Sequence, residues 1–158
     1  MQKTNALRLL DQAKINYQAF EYDISDSKID ALSVARKIGR SPDEIFKTLV
    51  TVSSSKEHFV FVIPASLELD LKAAAIAAKQ KRIEMLPSKE LLGLTGYVHG
   101  GCSPVGMKKA FPVFIDETAV LFDAIFISGG KIGLNIAVSP DDLSRFLNAP
   151  FAALTKNQ

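Results

Sequence analysis

The chain has 158 residues, 47% hydrophobic and 23% charged, with one cysteine and a net charge of +2 at pH 7. This suits one compact domain over residues 1–158 and excludes a disordered or fibrous chain. The lone cysteine excludes an internal disulfide, and the charged start MQKTNALRLLDQAK lacks a secretion signal's apolar run, so a cytoplasmic address is expected.

Thr4 caps a predicted helix NALRLLDQAK, whose Ala6, Leu9, Leu10 and Ala13 recur at helical spacing. NYQAFEYD alternates large side chains and predicts a strand ending near Asp23; the polar stretch DISDSKID follows as a loop. ALSVARKIG returns to a helical period and stops at Gly39. FKTLVTV and HFVFVIP are β-branched and aromatic, and with SSSKE between them they predict an antiparallel hairpin. Asp70 caps the alanine-rich helix LKAAAIAAK, and a short strand RIEML and a helical piece SKELLGLTG follow. Residues 96–109, GYVHGGCSPVGMKK, are punctuated by Gly-Gly and Ser-Pro and predict a loop. FPVFID, AIFISGG and GLNIAV are further strands. SPDDLSRFL is a closing helix with Ser139 as cap and Pro140 at its first position. Six or so strands with helices scattered among them predict an α+β fold with a mixed, partly closed sheet or barrel.

Several residues bear chemistry. Cys102 beside His99 suggests a nucleophile, but residues three apart in an irregular loop have no assured geometry, and the alternative is a semi-buried side chain without a catalytic role. One cysteine with the distant His58 and His99 shows no metal-ligand spacing, so no metal or other cofactor is expected, and His58 is expected to be exposed. The pairs Gly100–Gly101 and Gly129–Gly130 could present N–H groups to an anion or serve as tight turns, and neither fits a phosphate-loop pattern. Lys47, at the start of an apolar strand, could hold a phosphate, polarise a carbonyl or mark a solvated strand end. Lys79, Lys81, Arg82, Lys108 and Lys109 could track a nucleic-acid backbone or form solvated faces. No membrane or DNA partner is expected, since no apolar run reaches the roughly 18 residues of a membrane span and the net charge is small.

FKTLV, LDLKAAA, TGYVHGGCSPVGMKK, PVFID, ISGGKIGLNI and the terminal DDL together resemble, in order and spacing, the YbaK/EbsC family of free-standing aminoacyl-tRNA editing proteins, most closely its Cys-tRNA(Pro) deacylase branch. The resemblance implies a single editing domain related to the insertion domain of bacterial prolyl-tRNA synthetases. It also implies an aminoacylated tRNA(Pro) 3′ end as substrate and prolyl-tRNA synthetase as partner. It places Lys47 and Gly100 in the pocket for the aminoacylated adenosine, with Thr48 and Gly101 beside them, and assigns Lys47, Gly100 and Gly101 to catalysis. Tyr22, Ser128, Gly129 and Asn135 would bind substrate. In that branch the substrate's own thiol attacks its carbonyl, which removes the need for Cys102. Where the family commonly has acids, in Gly-Leu-Asp-Ile-Glu, this chain carries Asn135 and Ala137. The alternatives are a deacylase for another amino acid, such as alanine, that uses water, a non-catalytic module binding a nucleotide or RNA end, and a hydrolase dependent on Cys102.

Overall fold

The computed structural model describes residues 2–156. The helices are α1 (Asn5–Gln12), α2 (Ala31–Ile38), α3 (Leu71–Ala78), α4 (Leu91–Thr95) and α5 (Pro140–Leu147). The strands are β1 (Tyr17–Glu21), β2 (Phe46–Ser53), β3 (His58–Pro64), β4 (Ile83–Met85), β5 (Val113–Asp116), β6 (Ile125–Lys131), β7 (Leu134–Val138) and β8 (Phe151–Ala152).

Local chemistry sets the helix ends. Thr4 Oγ1 accepts from the Leu7 N–H at 3.2 Å, Asp70 from the Lys72 and Ala73 N–H groups, and Ser139 from the Asp142 N–H. Each satisfies a donor that the first turn leaves free. Asp30 caps α2 in the same way, although the sequence pattern leaves it in a loop. Gly39 and Gly96 end α2 and α4 in the left-handed conformation. The helices run shorter than expected; α1 stops at Gln12, and SKELLGLTG divides into a 3-10 turn, Ser88–Glu90, and α4.

The strands form two sheets, β1-β7-β6 and β4-β2-β3-β5-β8. The predicted hairpin is present, with Phe46 opposite Pro64 and Val52 opposite His58. β5 joins β3 in parallel and β8 joins β5 in parallel, so the larger sheet is mixed. A single bridge between Ile45 and Phe126 links the sheets, and they do not close into a barrel. The alternation of β2 and β3 sends two sets of side chains to opposite faces. Phe46, Val50, Val60 and Val62 pack with α1, β6 and β7, whereas Phe59, Phe61 and Ile63 pack against α3. Both faces of this hairpin are covered, and its strands read as near-continuous apolar runs for that reason. At the sheet's far edge the fully buried Asp116 carboxylate accepts from Thr118 N and Oγ1 and from Leu154 N, tying the 3-10 turn after β5 to the C-terminal segment.

No helix among the described residues is long and apolar enough to cross a membrane.

Candidate functional site

A cleft of about 190 Å³ opens where the start of β2 meets the β6–β7 hairpin. Its floor is Ile45 to Leu49 with Ser128 and Asn135. One wall is Tyr22 with Ile29 to Ala31 and Val34, and the other is Leu91 with His99, Gly100 and Cys102. Residues far apart in the chain, from Tyr22 to Asn135, therefore converge on it.

The first wall is a loop held by α2. Lys37 Nζ donates to the Asp23 and Lys28 carbonyls and to Asp26 Oδ1 at 2.6–2.8 Å. One lysine thus fixes the 23–28 loop and sets Ile29 at the cleft, and it lies 6.0 Å from the centre of the Tyr22 ring. The second wall depends on glycine. Gly100 has φ +88°, and a Cβ there would meet Ile29 Cδ1 at 2.7 Å, so the walls approach each other at this residue. Gly101 packs on the backbone of the β6–β7 turn, and a Cβ would lie 2.9 Å from Ile132 N and 3.1 Å from Lys131 C. Its N–H donates to the Val98 carbonyl at 3.0 Å, whereas the Gly100 N–H donates to no acceptor among the described residues.

Unpaired polar groups collect on the floor. Thr48 Oγ1 and Asn135 Oδ1 are buried and have no hydrogen-bond partner among the described residues, and a buried polar atom left unpaired is costly. Asn135 pairs across the sheet with Phe20 on β1 and Ser128 on β6, which brings Ser128 and Asn135 to the cleft together. Lys47 is half-buried and makes no ion pair or side-chain hydrogen bond among the described residues; burial lowers the pKa of its ammonium, and the charge of Glu68 partly opposes that.

Cys102 lies in the same cleft, but burial pushes its thiol up to about 12. A thiol so protonated is a poor nucleophile, and His99 is exposed at the cleft mouth, with no hydrogen bond to Cys102. Among the described residues no three His, Cys, Asp or Glu side chains cluster as metal ligands. His58, expected to be exposed, is half-buried beside the Phe111 ring at 5.5 Å, because β3 begins against the segment leading into β5.

Tyr22, Lys47, Thr48, Gly100, Ser128 and Asn135 are therefore brought together. Gly101 and Gly129 are not in the lining. Gly129 sits in a bulge of β6, where its carbonyl accepts from Thr4 Oγ1 at 2.6 Å and a Cβ would strike the Leu134 side chain. Lys79, Lys81, Arg82, Lys108 and Lys109 are exposed and lie outside the cleft lining. Ile29, Val34 and Leu91 escape sequence reasoning. Ile29, which with Ile24 is one of two apolar residues in a polar loop and stands just before the α2 cap, carries the one signal that could have been noticed.

The fold and cleft define a small α+β domain with an open pocket that is apolar at its walls and unpaired at its floor, a ligand-binding form. The chain belongs to the aminoacyl-tRNA editing domain family, whose profile matches residues 28–146. It is 44% identical over 157 residues to an Enterococcus faecalis protein named "Putative Cys-tRNA(Pro)/Cys-tRNA(Cys) deacylase EbsC", covering 99% of this chain and 96% of that one. Two solved structures share the fold. One, of a "putative trans-editing enzyme for prolyl tRNA synthetase", has TM-score 0.85 at 22% identity, covering 99% of this chain and 100% of the other. The second, of the hypothetical protein APE2540, has TM-score 0.89 at 20% identity, covering 97% and 100%.

Proposed function

We propose that this editing domain is an aminoacyl-tRNA deacylase that removes cysteine wrongly attached to tRNA(Pro). Family membership supports the editing reaction, and the name of the Enterococcus relative supports the cysteinyl substrate. The observation that carries the mechanism is the pairing of an inert thiol with unpaired floor groups. Cys102 is held protonated, while Lys47, Thr48 Oγ1, Asn135 Oδ1 and the Gly100 N–H lack protein partners.

An aminoacyl ester is already activated, so its cleavage needs a nucleophile and stabilisation of the carbonyl oxygen as charge develops. In this reading the nucleophile is the substrate's own sulfur. The C–S bond forms, the C–O bond to the ribose breaks, and the thiol proton passes to the leaving ribose oxygen, releasing a cyclic thioester. The Gly100 N–H donates to the developing oxyanion; one such donor contributes about 3 kcal/mol in comparable sites. Gly101 acts by wedging the loop in place, since its own N–H is used by Val98. Lys47 faces the leaving oxygen, and its lowered pKa makes it a readier proton donor than an ordinary lysine. Tyr22 and Ser128 shape the acyl end beside Asn135.

An open cleft of about 190 Å³ takes in only part of an aminoacylated terminal adenosine and touches little of the tRNA body. Selectivity for tRNA(Pro) then comes from prolyl-tRNA synthetase acting as partner. Cys-, Ala- and Ser-charged tRNA(Pro) given to the chain with and without the synthetase test this. Fast release from Cys-tRNA(Pro) alone supports it. Equal release of alanine, which has no sulfur to cyclise, would replace it with a water-dependent deacylase.

A further inference from the structure

The cleft takes in only part of an aminoacylated adenosine, so the rest of a single-stranded RNA 3′ end must leave across one of its walls. The two walls differ in charge. Residues 22–34 carry three carboxylates, Asp23, Asp26 and Asp30, against Lys28 alone, a net of −2. α2 adds Arg36 and Lys37, but Lys37 is taken up by Asp26 and two loop carbonyls. Residues 91–109 carry Lys108 and Lys109 and no carboxylate, a net of +2, and Lys89 and Glu90 just before them offset each other. A phosphate backbone is therefore drawn to the second wall. Lys108 is already laid in place there. Its N–H donates to the Thr95 carbonyl at 3.0 Å, its side chain lies across Gly96, where a Cβ would meet its Cγ at 3.3 Å, and its ammonium reaches the Gly93 carbonyl at 3.5 Å. It is exposed and makes no ion pair among the described residues. From the exposed Gly96 the chain runs through Val98 and His99, both exposed, to Gly100 at the cleft. Those four residues span at most about 14 Å, and about four stacked nucleotides at about 3.4 Å each cover the same distance. Val98 and Leu92 are 45% and 55% exposed, apolar surface on this wall that a base can cover.

We propose that the RNA leaves the cleft over α4 and the 96–109 loop, and that Lys108 binds a phosphate of the single-stranded 3′ end within about four nucleotides of the terminal adenosine. A lysine suits this task because its ammonium acts as a point charge that any phosphate satisfies, so the contact adds affinity without reading sequence. Its stem already lies along Gly96, so less rotamer freedom is lost on binding than at a free lysine. The inference rests on the reading of the cleft as the aminoacyl-adenosine site.

The test compares two substrates, Cys-tRNA(Pro) and cysteine esterified to the 3′ oxygen of adenosine, which carries no phosphate, each given to the intact protein without the synthetase. Lys108→Ala is expected to lower kcat/KM for Cys-tRNA(Pro) about fivefold at low salt, through KM, and to leave cleavage of the adenosine ester within about twofold of wild type. The slope of log kcat/KM against log salt concentration should become shallower by about 0.7, the effect of one phosphate contact on a single strand. Lys108→Arg should keep the wild-type values, and Lys28→Ala on the opposite wall should change neither. Equal losses on both substrates would reduce Lys108 to a prop for α4 and overturn the inference. An unchanged salt slope in Lys108→Ala, a flattened slope in Lys28→Ala, or a loss seen only when prolyl-tRNA synthetase is present would overturn it too, while leaving the deacylase reading intact. If the wild-type protein cleaves neither substrate, the reading of the cleft itself falls, and the inference with it.

Discussion

Cys102 offers the sharpest perturbation, because chemistry and stability both follow from its burial. Its thiol titrates at about 12 in place of the ordinary 9.0. At pH 8 an ordinary thiol of that kind is about 10% thiolate and a thiol at 12 about 0.01%, a deficit of about 1,000-fold. A more basic thiolate is intrinsically more nucleophilic, which returns a factor of about 20. The net expectation is alkylation about 50-fold slower in the folded protein than in urea, before hindered access slows it further. The assay is iodoacetamide labelling followed by mass spectrometry, beside single-turnover deacylation by Cys102→Ser, expected within about threefold of wild type. The stability sign follows from the same proton. The folded state keeps it where the unfolded chain loses it, so stability falls as pH rises from 9 towards 12, by up to about 1.4 kcal/mol per pH unit. Tyr97, also pushed up to about 12 by burial, adds a fall in the same direction above pH 10. Cys102→Ser should remove the earlier fall. Native alkylation as fast as in urea, or a hundredfold loss of deacylation in Cys102→Ser, would refute the reasoning.

Lys47→Met should abolish most deacylation yet raise the melting temperature, because a half-buried unpaired ammonium is replaced by an apolar chain of similar length; a lower melting temperature would show an unseen structural role. Gly101→Ala places a methyl against the backbone of Lys131 and Ile132, which cannot move aside as a side chain could. It should cost about 1–3 kcal/mol in urea unfolding and displace Gly100, lowering kcat more than it raises KM. Asp116→Asn, far from the cleft, keeps the shape but replaces an acceptor oxygen by a donor facing other donors. It should cost about 2 kcal/mol or more and leave kcat unchanged in the folded fraction.

What the sequence revealed divides by range. The caps at Thr4, Asp70 and Ser139, the stops at Gly39 and Gly96, and the β2–β3 hairpin depend on neighbours within a few residues, so they were legible locally. The 3-10 turn Glu117–Leu121 and the two-residue β8 were not. β8 exists because Ile115 and Asp116 offer a parallel edge some 35 residues away, a pairing that leaves no periodic trace. The cleft is still less local, with walls from residues 22–34 and 91–102 and a floor from β2, β6 and β7. Spacing alone left Lys47 and the glycine pairs with more than one reading each, and only the family resemblance gathered Tyr22, Lys47, Thr48, Gly100, Ser128 and Asn135 into one site. That resemblance also swept in Gly101 and Gly129, which support the cleft from outside. Ile132 and Lys131 press on Gly101, and Leu134 presses on Gly129; such crowding is visible only when the backbone is folded.

The central claim is that the protein supplies a donor-lined cradle and the reacting sulfur arrives with the substrate. Single-turnover cleavage of Cys-tRNA(Pro) in water enriched in oxygen-18, with the first product identified by mass spectrometry, tests it most directly. The account predicts a cyclic thioester free of the heavy isotope and no acyl group on the polypeptide. Free cysteine carrying one oxygen-18 from the outset, or an acyl adduct on Cys102, would contradict it.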